Sequence, residues 1–244
     1  MRLRPSELEG AATVAAFEPD GPTALVVEGS AEEWAEASRG AKRALPALVA
    51  YPALTIALLG KGGDEDLPLL EGFDLLTGSR AEAQGWLRCF LKTPKAATVL
   101  ATLLREPRHS LLAESAAYSV LQSGPEFSGW LARRPPRRTT EPGPRLAIVR
   151  AGGVLEVRLR RQRRRNAVDA LMREELCDAL DVGLADGEAV VCLTGEGPCF
   201  SSGGDLDEFG SLANPLDAHL LRTTRSVAGR LQRLGGRLVA AVHG

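Results

Sequence analysis

The apolar positions along this chain change their period from one region to the next. Near the N-terminus they form short unbroken runs: Thr23–Glu28 (TALVVE), stopped by Gly29-Ser30, and Leu54–Leu59 (LTIALL), stopped by Gly60-Lys61-Gly62-Gly63. Unbroken runs closed by glycine predict buried strands, and Phe73–Leu76 predicts a third. Between the first two lies Ala31–Leu45, rich in Ala, Glu and Arg, which predicts a helix. From Arg80 the pattern turns helical, with segments at Arg80–Leu91, Lys95–Arg105 and His109–Leu121 broken at Pro94 and Pro107.

Residues 133–144 (RRPPRRTTEPGP) carry four prolines and a cationic run, which predicts a stiff, solvated linker. It separates a mixed α/β, then helical, domain at 1–132 from a second domain at 145–244. In the second domain Val154–Leu159 alternates, with Leu155, Val157 and Leu159 on one face and Glu156 and Arg158 on the other. A helix is expected over Val168–Leu184, with Val168, Leu171, Met172, Leu176, Ala179 and Leu180 as its buried stripe. Ala189–Thr194 (AVVCLT) is a continuous apolar run, the signature of a strand buried on both faces. The glycine-rich turn GEGPCFSSGGDLDEF follows, then a helical stretch over Pro215–Leu234 and a buried strand at Arg237–Val242. The fold class is α/β, with a smaller mixed α/β domain ahead of the C-terminal core.

Composition narrows the function. The chain has 244 residues, net charge −1, 44% hydrophobic and 25% charged residues, the balance of an ordinary globular protein. No segment approaches the roughly 18 apolar residues of a membrane span, and MRLRPSELEG lacks the apolar core of a signal peptide. Cys89, Cys177, Cys192 and Cys199 form no CxxC pair and no zinc spacing, so reduced thiols, no metal and a cytoplasmic setting are expected. The near-zero net charge offers no argument for nucleic acid. Gly60-Lys61-Gly62-Gly63 lacks the Walker spacing, no GxSxG elbow exists, and His109, His219 and His243 have no metal spacing. Cys199 reads as a small packed residue, and the Leu, Tyr, Phe and Trp of residues 113–130 read as helix packing around an unassigned Glu114.

The chemistry lies in the order of motifs in the second domain. A strand leads to Arg165-Asn166-Ala167-Val168-Asp169, then an amphipathic helix, then Leu193-Thr194-Gly195 and Phe200-Ser201-Ser202-Gly203-Gly204-Asp205-Leu206. This order resembles the enoyl-CoA hydratase/isomerase (crotonase) superfamily over about a hundred residues, with Val239–Gly244 similar to the strand and turn toward its second half-site. The resemblance implies a crotonase-like ββα spiral, an acyl-CoA thioester substrate and an enolate whose charge backbone N–H groups stabilise. It assigns the Ser202 N–H as one oxyanion donor, and makes Ser202, Gly203, Gly204, Asp205, Arg165 and Ala167 the substrate-binding residues. Glycine suits the loop because a bulky side chain would keep the backbone from the thioester. Coenzyme A enters as part of the substrate, with no separate cofactor, and a homo-oligomer (trimer or hexamer) is expected.

Arg160, Arg161, Arg163, Arg164 and Arg165 have three readings: contacts to CoA phosphates, a solvated cationic loop, or nucleic-acid binding without the aromatics that would accompany it. Gln162 stands where the family usually has proline. Asp207 and Glu208 read as a solvated helix start. In the family the second oxyanion donor and the acid–base carboxylates follow the position of Gly244, so the core is expected to be incomplete. That leaves two functions open: an enzyme of the enoyl-CoA hydratase/isomerase type, or a catalytically inactive CoA-thioester-binding or scaffold protein.

Overall fold

The computed structural model describes residues 1–8, 23–60, 62, 66–106, 110–135, 142–212 and 214–244. They form two compact units: residues 1–117 with 124–126, and residues 118–123 with 127–244. Lys61, Gly63, Pro107 and His109 lie outside the described residues, as do 136–141 of the proline-rich stretch.

The first unit contains a parallel sheet in the order β1 (Arg2–Leu3), β2 (Leu25–Gly29), β3 (Thr55–Leu59), β4 (Leu75–Thr77). The unbroken apolar runs of β2 and β3 have a simple cause, since both faces are covered. Leu25, Val27, Ala57 and Leu59 pack with Trp34, Leu48, Leu69 and Leu70, whereas Val26 and Ile56 pack with Ala83. The helix expected over Ala31–Leu45 is two helices, α1 (Ala31–Arg39) and α2 (Ala41–Val49), because Gly40 ends one and begins the next. A capping box starts α1: the Ser30 hydroxyl accepts the Glu33 N–H at 3.3 Å and the Glu33 carboxylate accepts the Ser30 N–H at 2.7 Å. Helices α3 (Arg80–Phe90) and α4 (Pro94–Arg105) follow, then α5 (Leu111–Gln122) and α6 (Pro125–Ala132). Arg105, at the end of α4, donates to Asp74 and to the carbonyls of Tyr51 and Ala53, while Asp74 accepts the Thr55 N–H at 2.7 Å. This ties α4 to the start of β3.

The second unit opens with a hairpin, β5 (Leu146–Ala151) and β6 (Val154–Leu159), turned by Gly152 and Gly153 at positive φ. Strand β5 is an addition to what periodicity predicts. Helix α7 (Ala170–Asp186) crosses over to β7 (Val190–Gly195), which lies parallel to β6. Helices α8 (Pro215–Thr224) and α9 (Val227–Leu234) then lead to β8 (Leu238–Ala240), parallel to β7. The continuous helix expected over Pro215–Leu234 breaks at Arg225-Ser226, where the Ser226 hydroxyl caps α9 by accepting the Gly229 N–H at 3.0 Å.

The core of this unit lies on one face of the sheet. Leu155, Val157, Leu159, Val191 and Leu193 pack against Met172, Leu176 and Leu180 of α7 and Leu234 of α9. This corrects three expectations. Leu171 is not in the buried stripe of α7, since it is 45% exposed. Strand β7 is not buried on both faces, since Val190 is 36% exposed, and β8 is not a buried strand, since Val239 is 54% exposed. Among the described residues no buried cluster forms on the opposite face, so only alternate side chains are covered.

Gly183 shows how tightly α7 meets the sheet: a Cβ there would lie 2.6 Å from Val191 Cγ2. Gly183→Ala is therefore expected to destabilise this unit by about 1–3 kcal/mol, despite alanine's better helix propensity. Gly85→Ala in α3, where the nearest atom is Arg88 Nη2 at 3.8 Å, is expected instead to stabilise by up to about 1 kcal/mol. Denaturant unfolding of the two variants checks the contrast in sign.

Candidate functional site

The site begins with the loop after β6. Arg165 and Asn166 are consecutive residues at positive φ (49° and 52°), the two non-glycine residues with that backbone among those described. Asparagine tolerates this conformation and arginine does not gain from it, so the surroundings must hold the loop. Asn166 is fully buried. Its Oδ1 accepts the Arg161 N–H at 2.8 Å, and its Nδ2 donates to the carbonyls of Glu196 at 2.8 Å and Cys199 at 3.0 Å. One side chain thus joins the loop after β6 to the loop after β7. Gly195 makes room for the junction, because a Cβ there would lie 2.6 Å from the Phe200 carbonyl oxygen.

Behind the loops runs a buried chain of alternating charges, Arg145–Asp169–Arg161–Asp205. The contacts are Arg145 Nε to Asp169 Oδ2 at 2.8 Å, Arg161 Nε to the same oxygen at 3.4 Å, and Arg161 Nη1 to Asp205 Oδ2 at 2.6 Å. Arg161 and Asp205 expose only 5% and 8% of their side chains. Each carboxylate also caps a helical turn: Asp169 Oδ1 accepts the Met172 N–H of α7 at 2.9 Å, and Asp205 Oδ1 accepts the Asp207 N–H at 3.0 Å. Arg161 Nη1 donates further to the Ala167 carbonyl at 2.8 Å. Burial by itself pushes the Asp205 carboxyl up, but the Asp207 N–H and the Arg161 guanidinium outweigh it and hold it below the ordinary carboxylate range.

The glycine loop is laid across this frame. The Phe200 N–H donates to the His243 carbonyl at 2.8 Å, and the Ser201 hydroxyl donates to the Asn166 carbonyl at 2.8 Å while accepting the Gly203 N–H at 3.1 Å. Val168 and residues 203–205 form a bridge, with the Val168 N–H on the Gly203 carbonyl at 2.8 Å and the Asp205 N–H on the Val168 carbonyl at 2.9 Å. Ser202, Gly203 and Gly204 are exposed. Gly203 has φ 86° and open space where a Cβ would stand. The Ser202 N–H, expected to face a ligand, donates to the Arg165 carbonyl at 2.9 Å. The left-handed backbone at Arg165 brings that carbonyl to the loop.

The structure sorts the other site residues. Asp205 and Ala167 are buried and bonded to Arg161. Of the five clustered arginines, Arg161 is buried, Arg160 pairs with Glu196 at 3.2 Å and Arg164 pairs with Asp207 at 3.1 Å. Arg163 and Arg165 are exposed and have no ion pair among the described residues. Asp207 is not a solvated helix start, because Arg134 also pairs with it at 3.0 Å. Glu208 accepts the Ala170 N–H at 2.7 Å, and burial raises its carboxyl above the ordinary range against that bond. Glu114 is exposed. Sequence reasoning missed Arg145 and Arg134; a lone arginine beside a proline run carries no signal of a buried partner. Among the described residues no group of His, Cys, Asp and Glu could hold a metal, and no helix is long and apolar enough to cross a membrane.

Residues 150–244 match the family model for enoyl-CoA hydratase/isomerase. No curated protein matches the chain. Among solved structures, it is similar to an enoyl-CoA hydratase of Mycobacterium smegmatis at 29% identity, over 42% of this chain and 41% of that one, with a TM-score of 0.37. It is also similar to an enoyl-CoA hydratase/carnithine racemase of Magnetospirillum magneticum at 30% identity, over 42% and 40% of the two chains, with a TM-score of 0.35. The chain thus spans less than half the length of these proteins.

Arg161→Met leaves Asp169 and Asp205 buried without their shared cation and is expected to cost about 3–5 kcal/mol, read by denaturant unfolding. The depressed Asp205 carboxyl sets the pH dependence. Its contribution is fully present above the unfolded aspartate value of about 3.9 and is lost as pH falls through the lower folded value. Stability measured from pH 6 down to roughly pH 3 is expected to fall more steeply for the native chain than for Asp205→Asn.

Proposed function

We propose that this chain, whose residues 150–244 match the family model for enoyl-CoA hydratase/isomerase, binds an acyl-CoA thioester on the Ser202–Gly204 loop and stabilises charge on its carbonyl oxygen. The observation that carries this reading is an exposed glycine loop held by a buried charge network. A loop fixed before charge develops needs no reorganisation when it does, which is the source of oxyanion stabilisation. Arg163 and Arg165, exposed and without ion pairs among the described residues, supply cations for the CoA phosphates. The reading calls for no cofactor besides the CoA moiety of the substrate.

A second reading, binding without turnover, rests on one contact. The Ser202 N–H is already bonded to the Arg165 carbonyl, so a thioester oxygen must take that donor from a backbone acceptor. An oxyanion hole short of one donor forfeits roughly 2.7–4 kcal/mol of transition-state stabilisation. Calorimetric titration with crotonyl-CoA and a hydration assay on the same sample separate the readings. Turnover supports the enzyme, binding alone supports the binding protein, and absence of binding contradicts both. Arg163→Ala and Arg165→Ala are each expected to weaken CoA-thioester binding by up to about fivefold, the effect of an exposed charge pair, with less effect at high salt.

A further inference from the structure

We propose that a cavity of about 580 Å³ in the first unit binds a small molecule with an apolar body and a cationic end, an aliphatic amine. The site goes beyond the acyl-CoA reading, since its lining lies between Val49 and Arg105 and the family match begins at residue 150. Its volume falls within that of small-molecule sites, roughly 300–1,000 Å³. The cavity lies where α2 ends, where β3 and β4 begin, and along one side of α4. Ala97, Leu100, Ala101 and Leu104 recur at the spacing of a single helix face. On that face the two alanines leave the hollow and the two leucines flank it, while Leu54 and Leu75 add apolar wall from the strand ends. Val49, Leu100 and Leu104 are nevertheless 51%, 54% and 63% exposed. A single exposed leucine needs no explanation, but three large apolar side chains around one cavity do.

The charges around the cavity select the other end of the occupant. Arg105 and Asp74 both line it, but they are spent on each other and on the backbone. Arg105 Nε donates to Asp74 Oδ1 at 2.8 Å and its Nη2 donates to the Ala53 carbonyl at 2.6 Å. Asp74 Oδ2 accepts the Thr55 N–H at 2.7 Å and the Thr55 hydroxyl at 3.0 Å. The pair therefore presents no net charge to a ligand. Glu71, by contrast, lines the cavity, is exposed and has no ion pair among the described residues. Two helices also end here, α2 at Val49 and α4 at Arg105, and a helix C-terminus carries about half a negative charge. Glu71 and the two helix ends act in the same sense. They favour a cation and repel a carboxylate or phosphate.

Calorimetric titration of the full chain with octylamine, octanol and octanoate tests this, with butylamine as the short control. Octylamine is expected to bind most tightly and octanoate most weakly. Butylamine is expected to bind less tightly than octylamine, by up to about fourfold per missing methylene. Glu71→Gln, at an exposed position, is expected to weaken octylamine by up to about fivefold and leave octanol unchanged. Leu104→Asn, also at an exposed position, is expected to weaken octylamine and octanol alike, by about fourfold. Octanoate binding as tightly as octylamine, no saturable binding of octylamine, or an octylamine affinity unaltered in either variant overturns the assignment. Sedimentation that shows self-association lost in Leu104→Asn overturns it as well, because a second copy of the chain then covers the cavity.

Discussion

The Arg161 guanidinium sits between two carboxylates, Asp169 and Asp205, almost wholly buried. Taking an arginine and two aspartates out of solvent costs several kcal/mol per ion, and only close, fully bonded pairing offsets that. Here the same atoms serve twice. Asp169 fixes the start of α7 and Asp205 fixes the turn after the glycine loop, so the ion pairs also dictate where two helical segments begin. Arg145 extends the chain of charges to the first residues of the hairpin. Asn166 completes the frame by bonding both loops with one amide. The network fixes the residues on either side of the glycine loop, and the Val168 bridge, the Ser201 hydroxyl and the Ser202–Arg165 bond hold Ser202, Gly203 and Gly204 in their exposed path.

The parts of this arrangement that were legible in the sequence are those governed by local pattern. The alternation of Leu155, Val157 and Leu159 placed β6 and its buried face, and the Asn166 and Gly203–Asp205 motifs marked the two loops that meet. What was not legible depends on partners distant in the chain. An apolar run cannot report how many faces of a strand are covered, so Val190 and Val239 were expected inside and are exposed. Strand β5 is defined by its register on β6, with Ile148 opposite Val157, and not by a pattern of its own. Asp207 looked solvated because Arg134 and Arg164 arrive from other segments. The bond between the Ser202 N–H and the Arg165 carbonyl joins two backbone atoms, and no residue type encodes it.

That bond shapes the functional reading. Arg165 occupies left-handed backbone, a conformation that costs an L-residue roughly 1–2 kcal/mol, and its carbonyl holds the donor that a thioester oxygen would use. The arginine's side chain meanwhile stays exposed on the same loop. Arg165 thus combines left-handed backbone, a carbonyl that accepts the Ser202 N–H, and a guanidinium without an ion pair among the described residues; under the proposed function, frame and ligand compete there. The match of residues 150–244 to the enoyl-CoA hydratase/isomerase family model and the bonded Ser202 N–H together make binding and turnover separate questions for this chain.

On the proposed function, the Arg161 network holds the Ser202–Gly204 loop ready for a thioester carbonyl. The most direct measurement is the backbone amide spectrum of isotopically labelled chain titrated with crotonyl-CoA, for the native protein and for Arg161→Met. Saturable shifts are expected at Ser202, Gly203 and Gly204 in the native chain, largest at Ser202 as its N–H changes acceptor, and their loss in the variant. Crotonyl-CoA that binds while those three amides stay unchanged would contradict it.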